Sequence, residues 1–386
     1  MFSSRTRWHR TENRLARLVA ERRRSGAPLF DLTVSNPTQA GLVAPADVLA
    51  LLGAPSAAHY DPEPRGLSAA RDAVVADYAR RGLGMTADRL LLTASTSEAY
   101  AWLFKLLCDP GDAVLVPRPS YPLFEFLATL ESVEAIPYAL AYDGAWHLDV
   151  AALEAARTPR VRAIVVVNPN NPTGSCLRRD EAAKLLAFAA GHGLAVISDE
   201  VFADFRFRAA SDLVTNLAGD GPALTFSLGG LSKSCGLPQL KLGWIAVSGP
   251  EDKLSEALSR LEIVADTYLS VSTPVQHATP ALLRRLPELQ APILSRLLHN
   301  RRILESLVGA GSAATLLPAD GGWSAVLRVP ATQSEEERVC GLVERHAVLV
   351  HPGYFFDFPS EAFLVLSLLP DPEVFSEAVS RVTGDC

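Results

Sequence analysis

Short, continuously apolar runs alternate with amphipathic stretches along most of this 386-residue chain. The runs are LLLT at 90–93, AVLV at 113–116, AIVVV at 163–167, AVIS at 195–198, ALTFS at 223–227 and WIAV at 244–247. Runs this short with no polar alternation predict strands buried on both faces, and the helical stretches between them predict an α/β domain built on a mostly parallel sheet flanked by helices. From about Leu282 to Val308 the pattern is long, helical and rich in Leu and Arg. Beyond it, WSAVLRV, AVLVHPG and AFLVLSLL read as strands of a smaller α+β domain closed by the helix EVFSEAVSRV. At the other end, Leu15, Leu18 and Val19 with Arg22 to Arg24 fit an amphipathic surface helix. FDLTVSNPT and the Pro- and Gly-rich stretch through HYDPEPRGL then form a lead-in with no fold of its own. The predicted division is an N-terminal arm contributing to the small domain (1–45), a large domain (46–285) and a C-terminal small domain (286–386).

With 48% hydrophobic residues the chain can bury a large core. The net charge of -7, from 43 acidic against 36 basic residues, argues against a broad nucleic-acid-binding surface. No apolar run reaches bilayer length, so no membrane partner is expected. The arginine-rich start is interrupted by Glu12 and Glu21, which favours a surface helix over a targeting peptide. Five cysteines, with no CxxC pair among them, suit a reduced cytoplasm and give no support to a metal site. Neither GxGxxG after a strand, GxxxxGK[ST] nor HExxH occurs.

Three segments carry the chemistry: VVVNPNNPTG ending at Gly174, LAVISDE ending at Glu200, and SLGGLSKSCGLPQLKLGW around Lys233. Each begins apolar and ends polar, as a strand does when it delivers side chains to the carboxyl edge of a parallel sheet. Asn171, Asp199 and Lys233 are thereby expected in one crevice. Each also has a local explanation. Asn-Pro and Pro-Thr-Gly form turns, and an aspartate after a strand commonly caps the next helix. Tyr121 in RPSYPLFE could be a core aromatic. Ser95 and Glu98 in LLLTASTSEAY form a capping box, and a capped helix N-terminus is itself an anion site.

The asparagine, aspartate and lysine motifs occur in the order found in the class I/II aminotransferases of the aspartate aminotransferase fold type, and the resemblance runs from about Asp31 to about Arg381. It implies the fold type I architecture of pyridoxal phosphate (PLP) enzymes. It also implies that Lys233 holds PLP as a Schiff base and then moves the proton between substrate and cofactor. Asp199 would pair with the ring nitrogen, Asn171 would donate to the phenolic oxygen, and Tyr121 would stack on the ring. Ser95, Thr96 and Ser97 would surround the phosphate, with Lys241 standing where the family usually has an arginine. The serine usual at position 230 is Gly230, leaving Ser232 or Ser227 as substitutes. Tyr60 in HYDPEPRG matches a tyrosine that reaches the neighbouring subunit's phosphate, which implies a homodimer. The implied activity is transfer of an amino group from an amine or amino acid to an oxo acid or other carbonyl acceptor. A β-lyase or a decarboxylase would use the same fold and cofactor. A non-catalytic PLP-binding sensor would need a DNA-binding module, for which the roughly 30 residues ahead of the domain are too short.

Two further departures concern neighbouring positions and substrate. Phe202 replaces a tyrosine that bonds the phenolic oxygen. Val365, in AFLVLSLL, stands where the family carries an arginine that clamps the substrate's α-carboxylate, and no arginine occurs between Arg345 and Arg381. Either another cation such as Arg328 or His351 takes over, or the substrate presents no carboxylate there. Poor activity on aspartate and alanine is predicted.

Overall fold

The computed structural model describes residues 1–8, 11–208, 210–309 and 312–385; Cys386 lies outside them. The larger sheet has seven strands: β1 (Leu90–Thr93), β2 (Ala113–Arg118), β3 (Glu134–Ala139), β4 (Val161–Val167), β5 (Ala195–Asp199), β6 (Thr225–Gly230) and β7 (Gly243–Ser248). Their order is β1-β7-β6-β5-β4-β2-β3. Only β7 runs antiparallel to its neighbours. The apolar runs form strands because both faces are covered. Leu91, Val114, Val165, Ile197 and Phe226 pack under helices Thr96–Leu107 and Glu251–Tyr268. Leu115, Ile164, Val166 and Val196 pack on the opposite face under helix Arg179–His192. Full burial of each such side chain stabilises by about 1.5–3 kcal/mol.

The smaller sheet is antiparallel, in the order β8-β9-β11-β10, from β8 (Thr315–Leu316), β9 (Ser324–Arg328), β10 (His351–Pro352) and β11 (Phe363–Ser367). Alternation along β11 divides its side chains: Leu364 and Leu366 join a core with Leu297, Leu304, Phe375 and Val379, which come from the two covering helices. Val365 and Ser367 face the other way, toward the larger sheet's site. The N-terminal segment packs against this smaller unit. Its helix Arg14–Arg24 buries Val19 against Val343 and Leu349, and Phe30–Asp31 pairs in parallel with Val348–Leu349.

The structure differs from the sequence expectation in three places. Strand β3 was not anticipated; it is an edge strand bonded, among the described residues, only to β2, so it tolerates Pro137 and an exposed Glu134 that disguise the pattern. The stretch from Leu282 is not one helix, because helix Thr273–Arg284 ends at Arg285 before helix Leu286–Gly309 begins. Its apolar residues change partners there: Leu282, Leu286 and Leu289 pack with the large-sheet side, whereas Ile293, Leu297 and Leu304 join the small-sheet core. The lead-in carries local structure of its own, a short helix Ala46–Ala50 that buries Val48, followed by two 3-10 turns.

Candidate active site

Because β1, β2, β4, β5 and β6 are parallel, their carboxyl ends share one edge of the sheet. β7 runs the other way, so its beginning reaches the same edge, with Gly243 opposite both Thr93 and Gly230. The segments after these strands supply Thr96, Ser97, Tyr121, Asn171 and Lys233, and Asp199 ends β5 itself. All six line one cleft of about 220 Å³. Its other wall comes from Trp323, Ser324, His351, Phe356, Val365 and Ser367 of the smaller unit.

Local bonding fixes these positions. Ser120 donates to Asn170 Oδ1 at 3.3 Å, and Asn170 donates to Pro119 O at 3.0 Å, tying the turn bearing Tyr121 to the turn bearing Asn171. Gly174, at φ 68, lets the smaller unit dock on the second turn: its carbonyl accepts from Asp320 N (2.8 Å) and Gly321 N (3.0 Å). That docking sets Ser324 beside Asn171, donating to its Oδ1 at 3.4 Å and leaving the amide nitrogen without a protein acceptor among the described residues.

Asp199 is both a site residue and a turn residue. Its Oδ1 accepts from Val201 N at 3.2 Å and its Oδ2 from the Tyr100 hydroxyl at 3.1 Å. Burial pushes its carboxyl up to about 6, restrained by those two bonds and by the charge of Lys233. The Lys233 Nζ sits 4.8 Å from the Trp323 ring centre and 5.6 Å from that of Phe202. Burial lowers its pKa, against the opposing charge of Asp199, which makes it a better nucleophile near neutral pH.

The remaining predicted site residues lie around the cleft without lining it. Ser95 caps helix Thr96–Leu107, its Oγ accepting from Glu98 N at 3.1 Å, and Glu98 returns a bond from Ala94 N rather than from the cap itself. Lys241 is exposed, at the start of a segment that brings Gly243 against Thr93 and Ser95; a Cβ on Gly243 would lie 3.2 Å from Ser95 C. Ser232 is partly exposed. Ser227 is unavailable as a substitute for the usual serine, being buried and donating to Glu200 Oε1 at 3.2 Å. Gly230 has a packing reason to lack a side chain, since a Cβ there would lie 3.1 Å from Gly243 Cα and from Leu242 O. Tyr60 is 70% exposed and borders a separate shallow cleft with Trp102 and Ser270. Of the two cations considered as replacements at Val365, Arg328 is exposed and does not line the cleft, whereas His351 does, directly opposite Val365 in the sheet register.

Sequence reasoning missed Tyr100 and Trp323. Tyr100 lies in the apolar stretch AYAWLF, where it looks like any core aromatic; its spacing of three from Ser97, which places both on one helix face, was the available signal. Trp323 had only the adjacent Gly-Gly pair to mark it.

The family model for aminotransferase class I and II matches residues 27–382. Glutamate-pyruvate aminotransferase AlaA of Haemophilus influenzae is 28% identical over 367 residues, covering 92% of this chain and 90% of that protein. Alanine aminotransferase of Mycobacterium tuberculosis is 29% identical over 380 residues, covering 95% of this chain and 86% of that one. Among solved structures, alanine aminotransferase from Pyrococcus furiosus superposes with a TM-score of 0.87 at 25% identity, covering 100% of this chain and 99% of that chain. Aspartate aminotransferase of Thermus thermophilus, at 22% identity and a TM-score of 0.86, shares the fold. The chain belongs to the class I and II aminotransferases and is a PLP-dependent enzyme of fold type I.

Proposed function

We propose that this aminotransferase holds PLP through Lys233 and passes an amino group from an amine or amino-acid donor to an oxo acid or other carbonyl acceptor. When bound, the cofactor supplies an aldehyde that takes up the amino group and a ring that withdraws electrons from the reacting carbon. The donor set fits such a group: a desolvated amine, a buried carboxylate, an amide nitrogen with no protein acceptor among the described residues, and an exposed aromatic ring at the cleft mouth. Lys233 would hold the aldehyde, and its amine would carry the proton at the reacting substrate carbon. Asp199, ionised at neutral pH, holds the ring nitrogen's proton. Asn171 would donate to the phenolic oxygen and Tyr121 would cover the ring face. Ser95, Thr96 and Ser97 at the helix N-terminus, with Ser232 and Lys241, receive the phosphate.

The relatives named for alanine and for glutamate and pyruvate make transamination the favoured reaction over the lyase and decarboxylase alternatives. Tyr60 would serve a neighbouring subunit's phosphate, which accords with its exposure and makes the enzyme a homodimer. Residues 1–45 and 286–386 would move as the small domain against 46–285, in a cytoplasmic protein. Among the described residues no helix is long and apolar enough to cross a membrane.

The observation that carries this reading is the juxtaposition of Lys233 and Asp199 in one cleft, close enough for each charge to shift the other. Borohydride reduction of the PLP-loaded protein followed by peptide mapping tests it. The adduct is expected on Lys233 and absent from Lys233→Ala, which should have no turnover; an adduct on another lysine overturns the assignment.

A further inference from the structure

The part of the substrate side that this chain itself builds carries little charge and few free hydrogen-bond donors. Among its lining residues in the described chain, the charged side chains are Lys233 and Asp199, both assigned above to the cofactor. Val365, 1% exposed, stands centrally in the opposing wall, with Val326 and His351 as its partners across the sheet. His351 is stacked on Phe355 at 5.1 Å and meets Phe356 edge-on at 5.6 Å. Burial lowers the pKa of its ring against the opposing charge of Asp31, which favours the neutral form.

Ser35, at the exposed rim, keeps a hydroxyl free of partners among the described residues, but three deeper hydroxyls of this wall face the same way chemically. Thr33 donates to Asp31 Oδ1 at 2.5 Å, Ser367 to Val34 O at 2.5 Å, and Ser324 to Asn171 Oδ1. With their protons committed to the protein, these groups offer a ligand lone pairs, Ser367 only one because its Oγ already accepts from Leu369 N at 3.2 Å. A carboxylate placed among them would meet oxygens without a compensating cation, and a buried charge in that situation is strongly disfavoured.

We propose that the preferred substrates are primary amines, and the corresponding carbonyl compounds, whose reacting carbon bears an apolar or aromatic group with no carboxylate. This rests on the aminotransferase reading above. The donor's nitrogen passes to the cofactor's aldehyde carbon and the donor leaves as a carbonyl compound. The donor nitrogen would displace the Lys233 amine, one water would be consumed in freeing the carbonyl product, and the acceptor half-reaction would give that water back. The donor is oxidised by two electrons and the cofactor reduced by two, so no outside oxidant takes part. Trp323, Phe356 and Val365 pack the substituent, and the lone pairs of Thr33, Ser324 and Ser367 accept from any N–H or O–H it carries.

Two paired comparisons on the PLP-loaded enzyme test this. In the first, 2-phenylethylamine and L-phenylalanine, which differ by the carboxylate, are each mixed with the enzyme and the loss of the cofactor absorbance band is followed over a single turnover. The amine is expected to react at least tenfold more efficiently. In the second, calorimetry measures binding of 3-phenylpropanamide and of 3-phenylpropionate, neither of which reacts; the amide is expected to bind at least tenfold more tightly. Val365→Arg should reverse the binding preference, and the wild-type comparisons decide the matter even where that variant does not fold. L-phenylalanine or L-alanine outperforming the amine, or the propionate binding as well as the amide, overturns the proposal and leaves the aminotransferase reading standing. Reaction with neither amine nor amino acid, in protein that carries PLP on Lys233, also overturns it. Failure to load PLP on Lys233 overturns the broader reading instead.

Discussion

Tyr100 donates its hydroxyl proton to Oδ2 of Asp199 at 3.1 Å from the middle of helix Thr96–Leu107, the helix whose N-terminus lies at the proposed phosphate site. One helix therefore reaches the cleft both through its first turn and through a side chain that steadies the buried carboxylate. Tyr100 is 2% exposed and packs edge-on against Phe124 at 5.4 Å, so its ring has little freedom to leave that bond.

The bond favours the ionised form of Asp199, and its loss should raise that residue's pKa further above about 6. Tyr100→Phe is expected to weaken cofactor binding about tenfold at pH 7, as befits one hydrogen bond to a charged group. The discriminating measurement is cofactor affinity against pH. The wild type should lose affinity as pH falls through about 6, and the variant should begin to lose it at higher pH. A merely structural role would lower affinity by the same factor at every pH.

Glu200, beside Asp199, is buried and pushed up to about 8 from an ordinary 4.5, mainly by burial, although Ser198 Oγ (2.7 Å), Leu217 N (2.7 Å) and Ser227 Oγ (3.2 Å) donate to its Oε1. The folded protein retains this proton where the unfolded chain has lost it, so the contribution to stability is greatest below about pH 4.5 and falls as pH rises to about 8. Glu200→Gln removes that dependence. Urea unfolding at pH 5 and pH 8 should show the variant gaining on the wild type at the higher pH, and an unchanged difference would mean that Glu200 titrates in the usual range.

Gly174 joins the two units. A methyl group there would lie 2.7 Å from Ala319 Cβ and run into Gly321 O, in a backbone conformation at φ 68 that side chains other than glycine's rarely adopt. Gly174→Ala should cost about 1–3 kcal/mol of stability, read from chemical denaturation. It should also reduce turnover by disturbing Ser324 and Asn171.

If Tyr60 completes a neighbour's site, Lys233→Ala and Tyr60→Ala should complement each other. A mixed dimer contains one site with both residues intact, so co-expressed chains are expected to recover up to half the wild-type activity per dimer. Activity no higher than that of the Tyr60→Ala homodimer would place Tyr60 outside the neighbouring site.

Much of this was legible in the sequence because the central strands are covered on both faces and announce themselves as unbroken apolar runs. Asn171, Asp199 and Lys233 follow such runs, which is why their convergence on one edge could be anticipated. The partners that steady them were harder to see. Tyr100 is hidden among apolar neighbours, and the contribution of Trp323 depends on the docking at Gly174, a contact between segments some 150 residues apart. Edge strand β3 was obscured because one uncovered side removes the requirement for a purely apolar run. The committed hydroxyl protons of Thr33 and Ser367 depend on acceptors fixed only by the fold.

The division of the cleft between two sheets has an evolutionary consequence. Asn171, Asp199 and Lys233 are held by the seven-stranded sheet, whereas Val365, His351 and Ser367 belong to β10 and β11, which share no strand with it. Substitutions in β10 and β11 leave the hydrogen bonds that hold Asp199 intact, whereas Ser324, which bonds Asn171, ties β9 to the other wall. A lineage built this way can acquire new substrates by drifting in β10 and β11, with the reacting groups inherited unchanged.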